Sequence, residues 1–391
     1  MADWVSFFAK YWYFLLAALG LVILLIVYGA AYVRALRPRA GTLEWISRYD
    51  RPTFGIAGKR YPLERSDAGP AVCAGLLAAA LWGLAAWRNL GGALAVPTAT
   101  WELAALGILN FFVLPAVTAV CAYLLFQGLF GVSYVALLGA IILSLNMTMS
   151  PLPAAVTVVS LLLLCRFLTA EAGETFASRS PWLILTAAVL TAGCYFEPGL
   201  AVLAAAEAVL LIAGCISRFV QLGRGSLIKS LCLSVVGAAV TTVLLYIPAA
   251  LVAGMPFPKL LISKAYYLLI AHRAEALFAG QFGNWTALAL PTMAYYDWPL
   301  LLCGLAAFLA AAAGLFRRRD YRGLLLTLLV LGLTAMWLLG ACYAVPVACV
   351  ACFCYAWSEL HRRGRAYLAE IGAAAILLIL AAQYVLFWIL R

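Results

Sequence analysis

The residues best suited to chemistry lie in one long segment between two apolar runs, residues 254–297. Its cations, imidazole and terminal carboxylate include Lys259, Lys264, His272, Arg273 and Asp297. An arginine offers a phosphate a bidentate pair of N–H donors, and a lysine offers it a point charge. Aromatic side chains are interleaved with these groups, as is also typical of a membrane edge. The segment therefore fits either an anionic, lipid-linked substrate or anchoring at the membrane interface.

A second candidate group is the carboxylate of Glu102, which directly follows Trp101. It is the only acid in a short connector, residues 88–104. A carboxylate that points away from the membrane can act as a general base and accept a proton from an attacking hydroxyl. A carboxylate can equally mark the point where an apolar helix meets water. Both interpretations of Glu102 remain open.

The elements that must position these groups are membrane helices. The chain is 67% hydrophobic and 10% charged, with a mean hydropathy of +1.05. That composition excludes a water-soluble globule of 391 residues. Its apolar runs of about 20 residues match the roughly 30 Å of a bilayer core. The runs are rich in Leu, Ala and Val without strict alternation, which predicts an all-α polytopic bundle rather than a barrel.

The apolar runs predict about twelve transmembrane spans. They cover residues 11–33, 71–87, 105–127, 132–148, 153–168, 182–196, 199–216, 230–253, 298–316, 323–341, 343–357 and 366–390. We therefore divide the chain into an N-terminal transmembrane helix with a basic loop, residues 1–70, and a main transmembrane domain, residues 71–391.

Charge in the connectors predicts the orientation. Most of the 26 Lys and Arg residues fall into alternate connectors, above all residues 34–67, 218–229, 317–322 and 362–365. Short basic connectors stay in the cytoplasm. The N-terminus and residues 254–297 are then expected outside a bacterial plasma membrane. The net charge of +11 is a topological signal that also attracts anionic membrane lipids, and we predict no nucleic-acid partner.

Three clustered cysteines and a glutamate inside an apolar span each have a functional and a structural interpretation. Cys349, Cys352 and Cys354 resemble half of a metal-ligand set, but neither a second Cys pair nor a nearby His completes it. No motif indicates a cofactor, and a divalent cation stays an open alternative.

Glu207 lies inside an apolar span, where an ionised group costs at least a few kcal/mol unless it is paired or hydrated. We interpret it as a protonated or paired residue of the bundle.

Three stretches resemble bacterial relatives of the protein O-mannosyltransferases, which are glycosyltransferases of the GT-C fold. They are WRNLGGALAVPTATW at residues 87–101, YYDWPLLL at residues 295–302 and YAVPVACVACFCYAWSELHRR at residues 343–363. Their order agrees with the family's topology, which has a first external loop and a long later one. The resemblance covers roughly residues 60–365, so residues 11–33 are interpreted as a helix added to the GT-C plan.

The resemblance implies transfer of a sugar from a polyprenyl phosphate to a protein or glycan at the outer face. It assigns catalytic roles to Glu102, His272 and Asp297, and donor-phosphate binding to Lys259, Lys264 and Arg273. The chain departs from the family because its first external loop contains no Asp. An inactive scaffold that binds a lipid-linked sugar or a partner protein is therefore an alternative. A transporter is a further alternative, although no internal repeat is visible.

Overall fold

A computed structural model describes part of the chain. The described residues are 63, 65–94, 108–146, 151–169, 175–196, 200–217, 226–252, 298–318, 326–327, 329–330 and 345–386. Every regular element within these ranges is helical. Helices satisfy the N–H and C=O groups of the backbone within one segment, as an apolar solvent requires. The expected all-α class is therefore confirmed.

The α-helices are long and follow the predicted apolar runs. They are α1 (Ala68–Leu94), α2 (Leu114–Phe130), α3 (Ser133–Leu145), α4 (Pro151–Leu168), α5 (Phe176–Phe196), α6 (Leu200–Ser217), α7 (Ser226–Val252), α8 (Trp298–Arg318), α9 (Val345–Arg362) and α10 (Ala366–Tyr384). A 3₁₀ turn, Arg65–Asp67, precedes α1, and a π-helical turn, Leu109–Val113, leads into α2.

Within the described ranges, 5 helices are long and apolar enough to cross a membrane. They include Ala68–Ala85, Leu109–Phe130, Pro151–Leu168, Leu227–Pro248 and Tyr367–Tyr384. Shorter apolar helices lie at Ser133–Leu145, Leu200–Ile212 and Gly304–Ala313. The chain is thus a helical membrane protein. The count of twelve spans and the division at residue 70 stay predictions, because residues 11–33 and most of 323–341 lie outside the described residues.

Helix α5 starts earlier than the sequence predicts, at Phe176 rather than at residue 182. The Thr175 hydroxyl accepts a hydrogen bond from the Ser178 backbone N–H at 3.3 Å, which caps the helix. Pro181 cannot donate to the Ala177 carbonyl four residues earlier. The Ser180 hydroxyl donates to that carbonyl instead, at 2.8 Å, so the helix continues through the proline.

Helix α9 forms the centre of the bundle. Residues 346–360 are all buried, and α9 packs against α3, α8 and α10. Gly139 on α3 lies against the Cys354 thiol, and Gly304 on α8 lies against Cys349. Small residues allow the close approach of helices that stabilises bundles in lipid. The structure therefore gives these two cysteines packing roles.

Contacts between helix ends show that α1 to α7 run in alternate directions. Asp67, before α1, meets Tyr123 near the end of α2, whereas Trp82 on α1 meets Ser144 at the end of α3. Arg179 at the start of α5 donates to the Phe167 carbonyl at the end of α4, and Tyr134 at the start of α3 contacts His361 at the end of α9. The end of the bundle that these contacts define holds the cations Arg65, Arg166, Arg179 and Arg363, and we name it the basic end. The other is named the distal end.

Candidate functional site: a cleft at the distal end

The six residues predicted to bind or react with substrate all lie outside the described part of the chain. They are Glu102, Lys259, Lys264, His272, Arg273 and Asp297. The roles assigned to them therefore stay predictions. The structure does describe the helices that flank them, α1 and α2 around Glu102 and α7 and α8 around residues 254–297.

The two helices on either side of Glu102 pack against each other. Their distal parts, with the neighbouring ends of α3 and α4, line a narrow cleft. Its walls include Trp82, Pro115, Thr118, Leu143, Ser144 and Pro151. The Glu102 connector leaves α1 at Leu94 and enters the helical segment of α2 at Ile108, at the same end of the bundle as this cleft.

Hydrogen bonds fix the walls of the cleft. The indole Nε1 of Trp82 donates to the Ser144 carbonyl at 3.1 Å, and the Tyr384 hydroxyl donates to the Leu81 carbonyl at 2.7 Å. Buried Trp and Tyr side chains usually find such a partner. These bonds join α1 to α3 and to α10, so the Trp82 ring is held in place.

The described lining of the cleft has no titratable side chain. Its hydroxyls are bound within their own helices, Thr118 to the Leu114 carbonyl and Ser144 to the Ala140 carbonyl, both at 2.8 Å. Aromatic, proline and aliphatic walls favour an apolar group over a charged one. Any acid or base chemistry at this cleft must therefore come from a residue outside the described lining, and Glu102 is the acid of the connector between α1 and α2 in the sequence.

The helices beside the long segment have different principal neighbours. Helix α7 packs mainly against α5, whereas α8 packs mainly against α9. Tyr195 and Tyr246 meet edge to face at 4.8 Å near the distal end of the α5–α7 pair. Residues 254–297 thus connect a peripheral helix pair to the central part of the bundle.

The bundle interior contains a second polar site that the sequence partly anticipates. Glu207 on α6 is 4% exposed, and the Ser160 hydroxyl on α4 donates to its Oε1 at 2.6 Å. Its Oε2 has no hydrogen-bond partner among the described residues. Glu207 is therefore paired, as one of the two interpretations expected. This pair consists of one hydroxyl and one carboxyl group and includes no cation, which favours a structural role for it. Its hydrogen bond joins α4 to α6.

Sequence reasoning missed a polar cluster at the basic end. The Tyr123 and Ser133 hydroxyls donate to Asp67 Oδ1 at 2.8 Å and 3.4 Å, although Asp67 is only 5% exposed. The carboxylate precedes α1, where the helix dipole favours a negative charge. Its signal in the sequence was an acid at the end of a basic connector, directly before an apolar run.

A neighbouring contact joins α3 to α9. Tyr134 and His361 share a hydrogen bond of 2.8 Å between the hydroxyl and Nδ1, and the Tyr134 ring also meets Trp357 edge to face at 5.7 Å. His361 lies in the last turn of α9, because this helix extends to Arg362 rather than ending at residue 357. The contact fixes the basic end of the central helix.

Comparison with known proteins finds no matching family model and no matching curated protein. Among solved structures, the chain is similar to the Archaeoglobus fulgidus oligosaccharyltransferase, which was crystallised as a complex with Zn and sulfate. The two chains are 16% identical, and the TM-score is 0.38. The comparison covers 92% of this chain and 53% of the archaeal one, so this chain spans about half the length of that enzyme. At this TM-score the similarity assigns neither a family nor an activity to this chain.

Proposed function

We propose that this chain is a GT-C-like membrane protein that binds, and in its active form transfers, a sugar carried on a polyprenyl phosphate. The distal cleft supports this proposal most strongly, because it lies between α1 and α2, the two helices that the connector with Glu102 joins in sequence. The Lys- and Arg-rich connectors support an orientation in which the distal end faces outward from a bacterial plasma membrane, because short basic connectors favour the cytoplasmic side. The sequence resemblance to GT-C glycosyltransferases independently assigns Glu102 to an external loop.

The proposed reaction is a displacement at the anomeric carbon of the donor sugar. A hydroxyl oxygen of the acceptor forms the new bond to that carbon while Glu102 accepts the hydroxyl proton. The bond between the anomeric carbon and the phosphate oxygen breaks, and polyprenyl phosphate leaves with the electron pair. Lys259, Lys264 and Arg273 stabilise the charge on this phosphate. His272 and Asp297 orient the reacting groups.

A specific observation favours binding without transfer as the second candidate function. The cleft is lined, within the described residues, by side chains that do not titrate, and the connector between α1 and α2 contains Glu102 as its sole carboxylate. A protein of this kind would hold a lipid-linked sugar or present it to a partner. Both versions use the same cations for the phosphate, so they differ only in turnover.

Replacing Glu102 separates the two candidate functions. In purified protein supplied with polyprenyl-phosphate sugars, Glu102→Gln should lower the transfer rate by about 10²–10⁴-fold, the usual contribution of a general base. Glu370→Gln is the matched control, since Glu370 is exposed on α10 at the basic end. An unchanged rate in Glu102→Gln removes this residue from the mechanism.

Donor binding in the absence of turnover tests the second version. Neutralising Lys264 and Arg273 together, as Lys264→Gln with Arg273→Gln, should weaken the binding of polyprenyl-phosphate sugar because the phosphate loses its cations. Flux of the sugar across liposomes without any transfer would instead support a transporter and contradict both versions.

A further inference from the structure

The buried carboxyl group of Glu207 has the features of a proton-binding site inside the membrane. Glu207 is 4% exposed, and the Ser160 hydroxyl lies 2.6 Å from its Oε1. Its Oε2 has no hydrogen-bond partner among the described residues. We propose that the Glu207 carboxyl binds one proton beside Ser160, and that this proton keeps α6 joined to α4.

No cation in the described part of the chain neutralises an ionised Glu207. Helix α6 packs against α4, α5 and α7. The other described ionisable side chains of these four helices are Cys165, Arg166, Arg179, Cys194, Tyr195, Cys215, Lys229, Cys232 and Tyr246. Within the described ranges, Glu207 forms no ion pair or hydrogen bond with any of them. A carboxylate here would therefore lack a counter-charge, which is costly inside a membrane.

The nearest cation along the partner helix is too far away to serve this role. Arg166 lies about 9 Å further along the axis of α4 than Ser160, towards the basic end. Its guanidinium contacts the Trp182 ring on α5, at 5.0 Å from the ring centre. The middle of α4 thus presents Glu207 with a hydroxyl and not with a charge.

The hydroxyls on this part of α4 also offer an ionised carboxylate little hydrogen bonding. The single proton of Ser160 has a second acceptor, the Thr157 carbonyl oxygen, at 3.2 Å. The Thr157 hydroxyl itself donates to the Pro153 carbonyl at 2.7 Å. A carboxylate has about four lone-pair positions to fill, whereas a neutral acid carries its own proton. The described surroundings therefore favour the protonated form of Glu207.

The bond between Glu207 and Ser160 makes the proton important for the position of α6. A second side-chain bond of α6 runs from the Cys215 thiol to the Ser230 hydroxyl on α7, over 3.5 Å. A thiol is a weak donor, so the bond to Ser160 is the stronger of the two. Ionisation of Glu207 would require water or a cation between α4 and α6. Release of the proton is therefore linked to separation of these two helices.

A fixed structural bond is the alternative to a proton-binding joint. A bond of that kind would hold α6 equally well at all pH values. In a proton-binding joint, the closed state holds one proton that the open state releases to water, so the stability of the closed state falls as pH rises. This dependence begins above about pH 5, where a glutamate in contact with water is ionised.

Infrared spectroscopy of the full-length protein in nanodiscs tests whether Glu207 carries the proton. A protonated carboxyl group has a C=O stretch at higher frequency than a carboxylate. At neutral pH, Glu207→Gln should remove one carboxyl group from this band. Glu370→Gln is the matched control and should leave the band unchanged, because Glu370 is exposed on α10. Equal bands in the wild type and Glu207→Gln would show that Glu207 is ionised and would overturn the proposal.

Hydrogen–deuterium exchange of the α6 amides tests the link between the proton and the joint. Release of one proton makes opening up to about tenfold easier for each pH unit. The exchange rate of the wild type, divided by that of Glu207→Gln at the same pH, should thus rise by up to about 100-fold between about pH 5.5 and pH 7.5. The division cancels the chemical effect of pH on exchange.

The same ratio for α10 is the control, because α10 packs against α3, α8 and α9 instead of α6. This ratio should stay constant over the pH range. A constant ratio for α6 would show a fixed structural bond and overturn the proposal. Both experiments are independent of whether the distal cleft binds a sugar donor.

Discussion

Individual polar residues in this bundle stabilise particular helix pairs. Ser160 and Glu207 lie 47 positions apart in sequence, and their hydrogen bond joins α4 to α6. The sequence predicts that Glu207 needs a partner, because the apolar run around it excludes water. It does not identify Ser160, since any of the hydroxyl residues in neighbouring spans could face α6. Helix rotation and packing decide that choice, and they are properties of the folded bundle.

Removing the Ser160 hydroxyl should be more harmful than an ordinary serine substitution. Ser160→Ala leaves both oxygens of the buried Glu207 carboxyl without a donor among the described residues, so we expect a loss of about 1–3 kcal/mol. Ser234→Ala is the control, because the Ser234 hydroxyl bonds only to the Ser230 carbonyl of its own helix. Thermal unfolding in detergent measures both. Equal midpoints for the two variants would contradict a stabilising bond between Ser160 and Glu207.

At the scale of elements, the apolar runs locate the helices well because each run must satisfy its own backbone in lipid. The predicted boundaries fail where side chains extend a helix. Hydrogen bonds of Thr175 and Ser180 let α5 begin at Phe176 and continue through Pro181. Helix α9 continues to Arg362. Gly364 then ends the α9 segment with a φ of +67°, a conformation that favours glycine. These extensions depend on hydrogen bonds that hydrophobicity alone does not report.

The contact between α3 and α9 provides a test of close packing. A Cβ at position 139 would collide with the Cys354 thiol, so Gly139→Ala should destabilise the protein by about 1–3 kcal/mol. Cys354→Ala shortens the opposing side chain. The double variant should therefore recover part of the loss, which a double-mutant cycle of unfolding midpoints measures. Gly372→Ala is the control, because a Cβ there meets nothing within 4 Å. Additive losses in the cycle would contradict direct contact.

The whole molecule is a bundle with two different ends. The sequence predicts this polarity through the placement of Lys and Arg, and the structure brings Arg65, Arg166, Arg179 and Arg363 to one end. The cleft at the other end could not be predicted, because it depends on how Trp82, Thr118 and Ser144 from separate helices meet. The predicted substrate residues lie outside the described chain, so the chemistry at this end rests on the sequence resemblance.

Labelling with an impermeant thiol reagent tests the orientation of the two ends. Ser263→Cys should react on intact cells, because residues 254–297 are predicted outside. Ser178→Cys should react only after the cells are permeabilised, since Ser178 is exposed at the basic end. The native chain measures the background from its own cysteines. The opposite pattern would reverse the predicted topology and move the distal cleft to the cytoplasm.

The central position of α9 has a consequence for biogenesis. Ribosomes deliver helices to the membrane in chain order, so α1 to α8 are synthesised before the segment that begins at Val345. The apolar surfaces that later surround α9 can stay exposed to lipid until α9 is made, because lipid solvates them nearly as well as protein does. A nascent chain that stops before α9 is thus expected to insert into the membrane without its central helix. Membrane proteases would then act on helices that have not assembled.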